Sequence, residues 1–142
     1  MARALELARL AAACTEVPVG AVVVNGDGMV AEAYNLRENS KNPLAHAEIL
    51  VIEAAAQKLG RWRLSDCSLY VSLEPCAMCA GALINARIGT LIFAASDPKA
   101  GCTGSLMNLC QDPRLNHRVE IKSGLLAEQS ALLLKDFFKA RR

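Results

Sequence analysis

A chain of 142 residues, 53% hydrophobic and 21% charged, has the make-up of one folded domain and not of a disordered segment. A net charge of +2 is too small to announce a nucleic-acid binder by itself, and no stretch is long and apolar enough to span a bilayer. Six cysteines with no visible apolar leader point to a reducing, cytoplasmic setting, where close thiols bind metal or do redox work rather than form staples.

Residues 2–13 read as an amphipathic or largely buried helix rich in Ala and Leu, ended by Val17-Pro18-Val19-Gly20. Ala21 to Val24 and Met29 to Tyr34 are β-type runs joined by Asn25-Gly26-Asp27-Gly28, a strong hairpin turn. Asn35 to Lys41 is polar and irregular. Asn42-Pro43 has the form of a helix start, with the helix running to Leu59 and closed by Gly60. Ser68 to Leu73 alternates as a strand. Glu74-Pro75 ends it and opens a helix from Cys76 to Asn85. Thr90 to Ala95 is a buried strand, and Asp97 to Ser105 a Gly-containing loop. A short helix is expected at Leu106 to Cys110, a short strand at Val119 to Lys122 and a last helix from Glu128 to Arg141. A helix, a hairpin and then alternating strands and helices make an α/β layered fold with a mixed sheet between helices. No repeat, low-complexity tract or linker divides the chain, so residues 1–142 read as a single domain.

Four residues carry chemistry. His46 and Glu48 lie near one helix start, and Cys76 and Cys79 lie at the next. Three residues apart on a helix, the two sulfurs share a face. At a helix N-terminus, free N–H groups and the helix dipole favour thiolate. Thiolate and imidazole are preferred zinc ligands, and three protein ligands leave a fourth position for water, as in catalytic sites. Glu48, two residues beyond His46, can lean over that open position and move a proton. Taken singly, each feature has a plainer reading. A Cys-x-x-Cys can be a redox pair or half of a structural zinc site, a lone His is usually packed, and a first-turn Glu serves the dipole. Together and in this order they resemble the signature of the zinc deaminases, His-x-Glu followed by Pro-Cys-x-x-Cys. The basic residues of the tail, Lys135, Lys139, Arg141 and Arg142, and those upstream, Arg114, His117, Arg118 and Lys122, suit either phosphates or a helix end.

The segments Glu16 to Val22, Ala45 to Ile49, Leu69 to Ala82, Asn85 to Ile88, Gly104 to Met107, Leu115 to Ile121 and Asp136-Phe137-Phe138 carry a resemblance over nearly the whole chain. The sequence resembles the bacterial tRNA-specific adenosine deaminases of the cytidine-deaminase-like superfamily. The resemblance implies a three-layer α/β/α fold with a mixed sheet of about five strands. It implies one Zn2+ per subunit on His46, Cys76 and Cys79, with Glu48 as proton shuttle for zinc-bound hydroxide. The implied reaction is hydrolysis of adenosine to inosine at the wobble position of a tRNA anticodon, by a homodimer. By position, Val17, Val19, Asn35, Ala47 and Leu73 would shape the pocket for a flipped base. Asp97 and Lys99 would touch neighbouring nucleotides, and Phe138 with the basic end would meet the RNA. Phe138 suits the core equally well. Leu44 replaces the small hydroxyl residue typical of the family, and Pro98 and Cys102 vary the substrate loop. Cys14, Cys67, Cys102 and Cys110 have no role beyond that of buried or incidental thiols.

Three rivals share parts of this pattern. A deaminase of free nucleobases or nucleosides, of guanine or cytosine type, would use the same site. A non-catalytic zinc-stabilised RNA-binding protein would need a fourth protein ligand, and neither Cys102 nor Cys110 has metal-like spacing. A disulfide oxidoreductase would leave His46 and Glu48 unexplained.

Overall fold

The computed structural model describes all residues, 1–142. Helix α1 (Ala2–Ala13) leads into a hairpin of β1 (Gly20–Asn25) and β2 (Gly28–Tyr34). A single-turn helix α2 (Arg37–Ser40) and helix α3 (Ala47–Leu59) follow. Then come β3 (Ser68–Leu73), α4 (Ala77–Asn85), β4 (Thr90–Ala95), a 3-10 turn at Leu109–Gln111, β5 (Glu120–Ser123) and α5 (Ala127–Lys139).

One five-stranded sheet has the order β2-β1-β3-β4-β5. β1 pairs antiparallel with both β2 and β3, whereas β3, β4 and β5 run parallel. β3 is therefore the strand at which the sheet changes from hairpin-built to crossover-built. Helices α1 and α5 pack on one face, and α3 and α4 on the other. The central strands are covered on both sides. This explains why β1 and β4 read as near-continuous apolar runs, while the edge strand β5 is mostly exposed. The expected α/β/α layering with a mixed sheet of five strands is observed.

Three local expectations are corrected. The third helix begins at Ala47 and not at Pro43. The Asn42 side chain accepts a hydrogen bond from the Leu44 N–H at 2.9 Å, so it closes a turn instead of capping a helix. The polar stretch after β2 contains α2, ended by Lys41 in the left-handed region (φ 51°). The short helix expected from Leu106 is only the 3-10 turn.

α1 lies unusually close to the sheet. A side chain at Gly20 would run into the carbonyl of Ala4, and would reach within 2.6 Å of Leu7 Cβ and 2.7 Å of the Ala8 nitrogen. Glycine is required there by helix-to-strand contact, not by backbone angle. The Gly20 N–H donates to Ser72 Oγ at 3.1 Å, and the Ser130 hydroxyl donates to the Ser72 carbonyl, so one buried serine ties β1, β3 and α5 together. We expect Gly20→Ala to lower unfolding free energy by about 1–3 kcal/mol through overpacking, measured by urea denaturation.

Candidate metal centre and active site

His46 is the N-cap residue of α3 and Cys76 the N-cap residue of α4, both with extended backbone. Neither side chain caps its own helix, which leaves both free to turn toward each other. Cys79 follows on the first turn of α4. The His46 Nδ1 atom lies 3.7 Å from Cys76 Sγ and 3.6 Å from Cys79 Sγ. The three donor atoms all lie within 4.8 Å of one another. Zinc bonded tetrahedrally to one imidazole and one thiolate, at about 2.1 and 2.3 Å, would separate nitrogen and sulfur by roughly 3.6 Å. The donor set therefore fits a metal ion of zinc's size and preference.

The charges fit as well. Cys76 is brought down to about 4 by its hydrogen bond with Cys79, with burial opposing and His46 assisting. The neighbouring Cys79 thiol is pushed up, first by Cys76 and then by burial and Glu48. His46 is raised, chiefly by the Cys76 sulfur. Glu48, in the first turn of α3, is only 4% exposed, and burial lifts its carboxyl to about 7. A carboxyl near neutrality beside a metal-ligand cluster is suited to taking up and giving back a proton.

His46, Glu48 and Cys76 line a pocket together with Val17, Val19, Asn35, Ala47, Leu73 and Asp97. Arg37, Glu74 and Ala100 also line it, and the sequence reading did not single them out. The pocket opens beside a broad groove shared by Val17, Leu73, Asp97 and Lys99 with α5. Phe138 is 48% exposed there, whereas Phe137 packs inward, so Phe138 is not a core residue. Lys135, Lys139, Arg141 and Arg142 line the same groove. The upstream basic residues do not join them. Arg114 pairs with Asp112, Lys122 with Glu120, and the His117 ring nitrogen meets the Ile88 carbonyl at 2.8 Å.

Glu74 builds the far wall. Its carboxylate accepts from the N–H of Asp97 at 2.9 Å, Thr103 at 3.2 Å and Ser105 at 2.9 Å, and from the Ser105 hydroxyl. Burial opposes its ionisation, but the donations from Ser105, Asp97 and Thr103 outweigh that and lower its pKa. The loop carrying Asp97 and Lys99 is thus wound around one buried anion. The strand-to-helix position of Glu74 hid this role, since a Glu before Pro reads as a breaker. The Glu16 carboxylate, with no exposed surface, lies outside the lining and accepts hydrogen bonds from Asn35, Glu38 and Asn39.

A MafB19-like deaminase family profile matches residues 1–142. The tRNA-specific adenosine deaminase of Bacillus subtilis (strain 168) is 48% identical over 142 residues, covering 100% of this chain and 88% of that protein. The chain belongs to the tRNA-specific adenosine deaminase family. It is accordingly a hydrolytic deaminase. Among solved structures it is similar to a tRNA deaminase studied for A-to-I editing at the wobble position of transfer RNA. That likeness has a TM-score of 0.89 and 42% identity, over 92% of this chain and 95% of the other. It is also similar to a guanine deaminase from Nitrosomonas europaea, with a TM-score of 0.83 and 27% identity over 96% and 81%.

Gly101 tests the wall built on Glu74. A side chain there would collide with the Glu74 carboxylate and come within 2.6 Å of the Asp97 carbonyl. We expect Gly101→Ala to cost about 1–3 kcal/mol in urea denaturation. It should also lower kcat/KM while leaving bound metal per chain unchanged.

Proposed function

We propose that this deaminase converts adenosine to inosine at the wobble position of a tRNA anticodon, with zinc held by His46, Cys76 and Cys79. The observation that carries this reading is the continuity of the pocket above these ligands with a basic groove that ends on exposed Phe138. Bound zinc would lower the pKa of a water to roughly 7 and so supply hydroxide at neutral pH.

The chain's own residues do the rest. Glu48 takes one proton from the water and delivers it to N1 of the base as C6 is attacked. It then takes the proton of the newly added hydroxyl and passes it to the amino group, so that the C6–N bond breaks and ammonia departs. The near-neutral carboxyl suits both directions of transfer. Val17, Val19, Ala47 and Leu73 form apolar walls for a flipped base, and Asn35 supplies the polar contact. A stacked base could not reach the bottom of such a pocket, so the nucleotide must be turned out, as unpaired loop bases readily are. Asp97 and Lys99 stand where flanking nucleotides would pass, and Lys135, Lys139, Arg141 and Arg142 offer cations to phosphates. Phe138 offers a stacking face.

A homodimer in the cytoplasm belongs to the same proposal. Leu44, Leu106 and Met107 are each more than half exposed, which suits apolar surfaces covered by a second copy. Sedimentation equilibrium should return twice the chain mass, and a monomer at micromolar concentration would refute this part.

Purified protein should convert the wobble adenosine of an anticodon stem-loop and carry one zinc per chain by elemental analysis. Glu48→Gln should keep the zinc and lose about a thousandfold or more in kcat. The likeness to a guanine deaminase supports one rival, a free-purine deaminase on the same site. Turnover of free guanine with the stem-loop untouched would establish that rival instead.

A further inference from the structure

Glu16 is the most completely buried acid in the chain, with no exposed surface. It lies outside the pocket lining, beyond the end of α1, and is not among the groups assigned to the reaction. Its backbone N–H is tied to the Ala11 carbonyl at 2.9 Å, which fixes it to the helix. Every hydrogen-bond partner of its carboxylate is a donor. Oε1 accepts from the Asn39 N–H at 2.7 Å and the Asn39 side-chain amide at 2.8 Å. Oε2 accepts from the Glu38 N–H at 3.2 Å and from Asn35 Nδ2 at 3.4 Å.

These partners belong to the segment that carries Asn35 and Arg37 into the pocket. Asn35 Nδ2 also donates to the Val17 carbonyl at 3.3 Å, while Asn35 Oδ1 accepts from the Arg37 N–H at 3.4 Å. Turning the Asn35 amide over would set its oxygen against the Glu16 carboxylate and the Val17 carbonyl, and its NH2 against an N–H. A buried acceptor facing acceptors is costly. Glu16 therefore settles which end of the Asn35 amide is the donor end, as well as where it sits.

We propose that Glu16 is a positioning residue: it fixes the orientation of the Asn35 amide and the place of the 35–39 wall, and through them the recognition of the base. This rests on the reading of Asn35 as the residue that meets the substrate base. A neutral isostere cannot replace Glu16, because the NH2 of a glutamine would face donors on one side.

The test is a double-mutant cycle on the anticodon stem-loop, using Glu16→Gln, Asn35→Ala and the pair, with Gly20→Ala as a control for lost stability. Glu16→Gln should lower kcat/KM by about tenfold or more at full zinc content. In the Asn35→Ala background the same change should cost less than about threefold. Gly20→Ala should act equally in both backgrounds. Additive losses, or no loss for Glu16→Gln, would overturn the proposal.

A second measurement needs no variant. Glu38 and Asn39 are exposed residues, yet their backbone amides should be protected in hydrogen exchange because they point at Glu16. Unprotected amides at both positions would overturn the proposal even if Glu16→Gln failed to fold. If the unmodified protein left the stem-loop untouched, the substrate reading alone would fail, and the exchange result would still decide the placement of the wall.

Discussion

Two helix N-termini, those of α3 and α4, are brought together beyond the C-terminal end of β3. Each carries the positive end of a helix dipole and unpaired N–H groups, so their approach is unfavourable unless negative charge lies between them. The Cys76 thiolate, with Cys79 and the Glu48 carboxyl beside it, provides that charge, and a divalent cation bound by thiolates would sit within the same balance. The rest of the architecture serves this meeting. β3 is the strand where antiparallel pairing gives way to parallel pairing, and α4 is the crossover that parallel pairing demands. His46 and Cys76 stand at matching N-cap positions.

Two buried anions organise the walls of the pocket, Glu74 within its lining and Glu16 outside it. Glu16 gathers the segment that carries Asn35, and Glu74 gathers the loop that carries Asp97. Irregular backbone near a buried site must satisfy its N–H groups somewhere. Here several of them are satisfied on carboxylates. An ionised carboxylate accepts several hydrogen bonds at once, so each wall is drawn to a single centre and has little freedom to rearrange.

The cluster that could hold a metal ion was legible because such chemistry demands rare residue types at fixed spacing, and His46, Cys76 and Cys79 do converge. The sheet was legible because the apolar runs of β1 and β4 have no other reading in a chain so poor in aromatics. The start of α3 was not. Asn42-Pro43 looks the same whether the Asn side chain caps a helix or closes a turn, and the difference is one hydrogen bond to Leu44. Glu16 and Glu74 were quoted as parts of segments, yet their work was invisible. All of it lies in contacts from about twenty to thirty residues away in the chain. Phe138 was open between core and surface because Phe137 beside it offers the same side chain, and only the facing of α5 separates them.

That facing has a wider meaning. α5 fully buries only Ser130 and Phe137, half-buries Ala127, Leu133 and Leu134, and leaves its other residues exposed. The exposed α5 side chains that border the groove, Lys135, Phe138 and Lys139, can therefore vary with little penalty in folding, while His46, Cys76, Cys79 and both anchoring carboxylates lie elsewhere, in segments tied into the fold. Selection can act on the outer contacts of the molecule and leave its reactive centre as it is. In this fold, diversification of what is processed is mechanically separate from preservation of how it is processed.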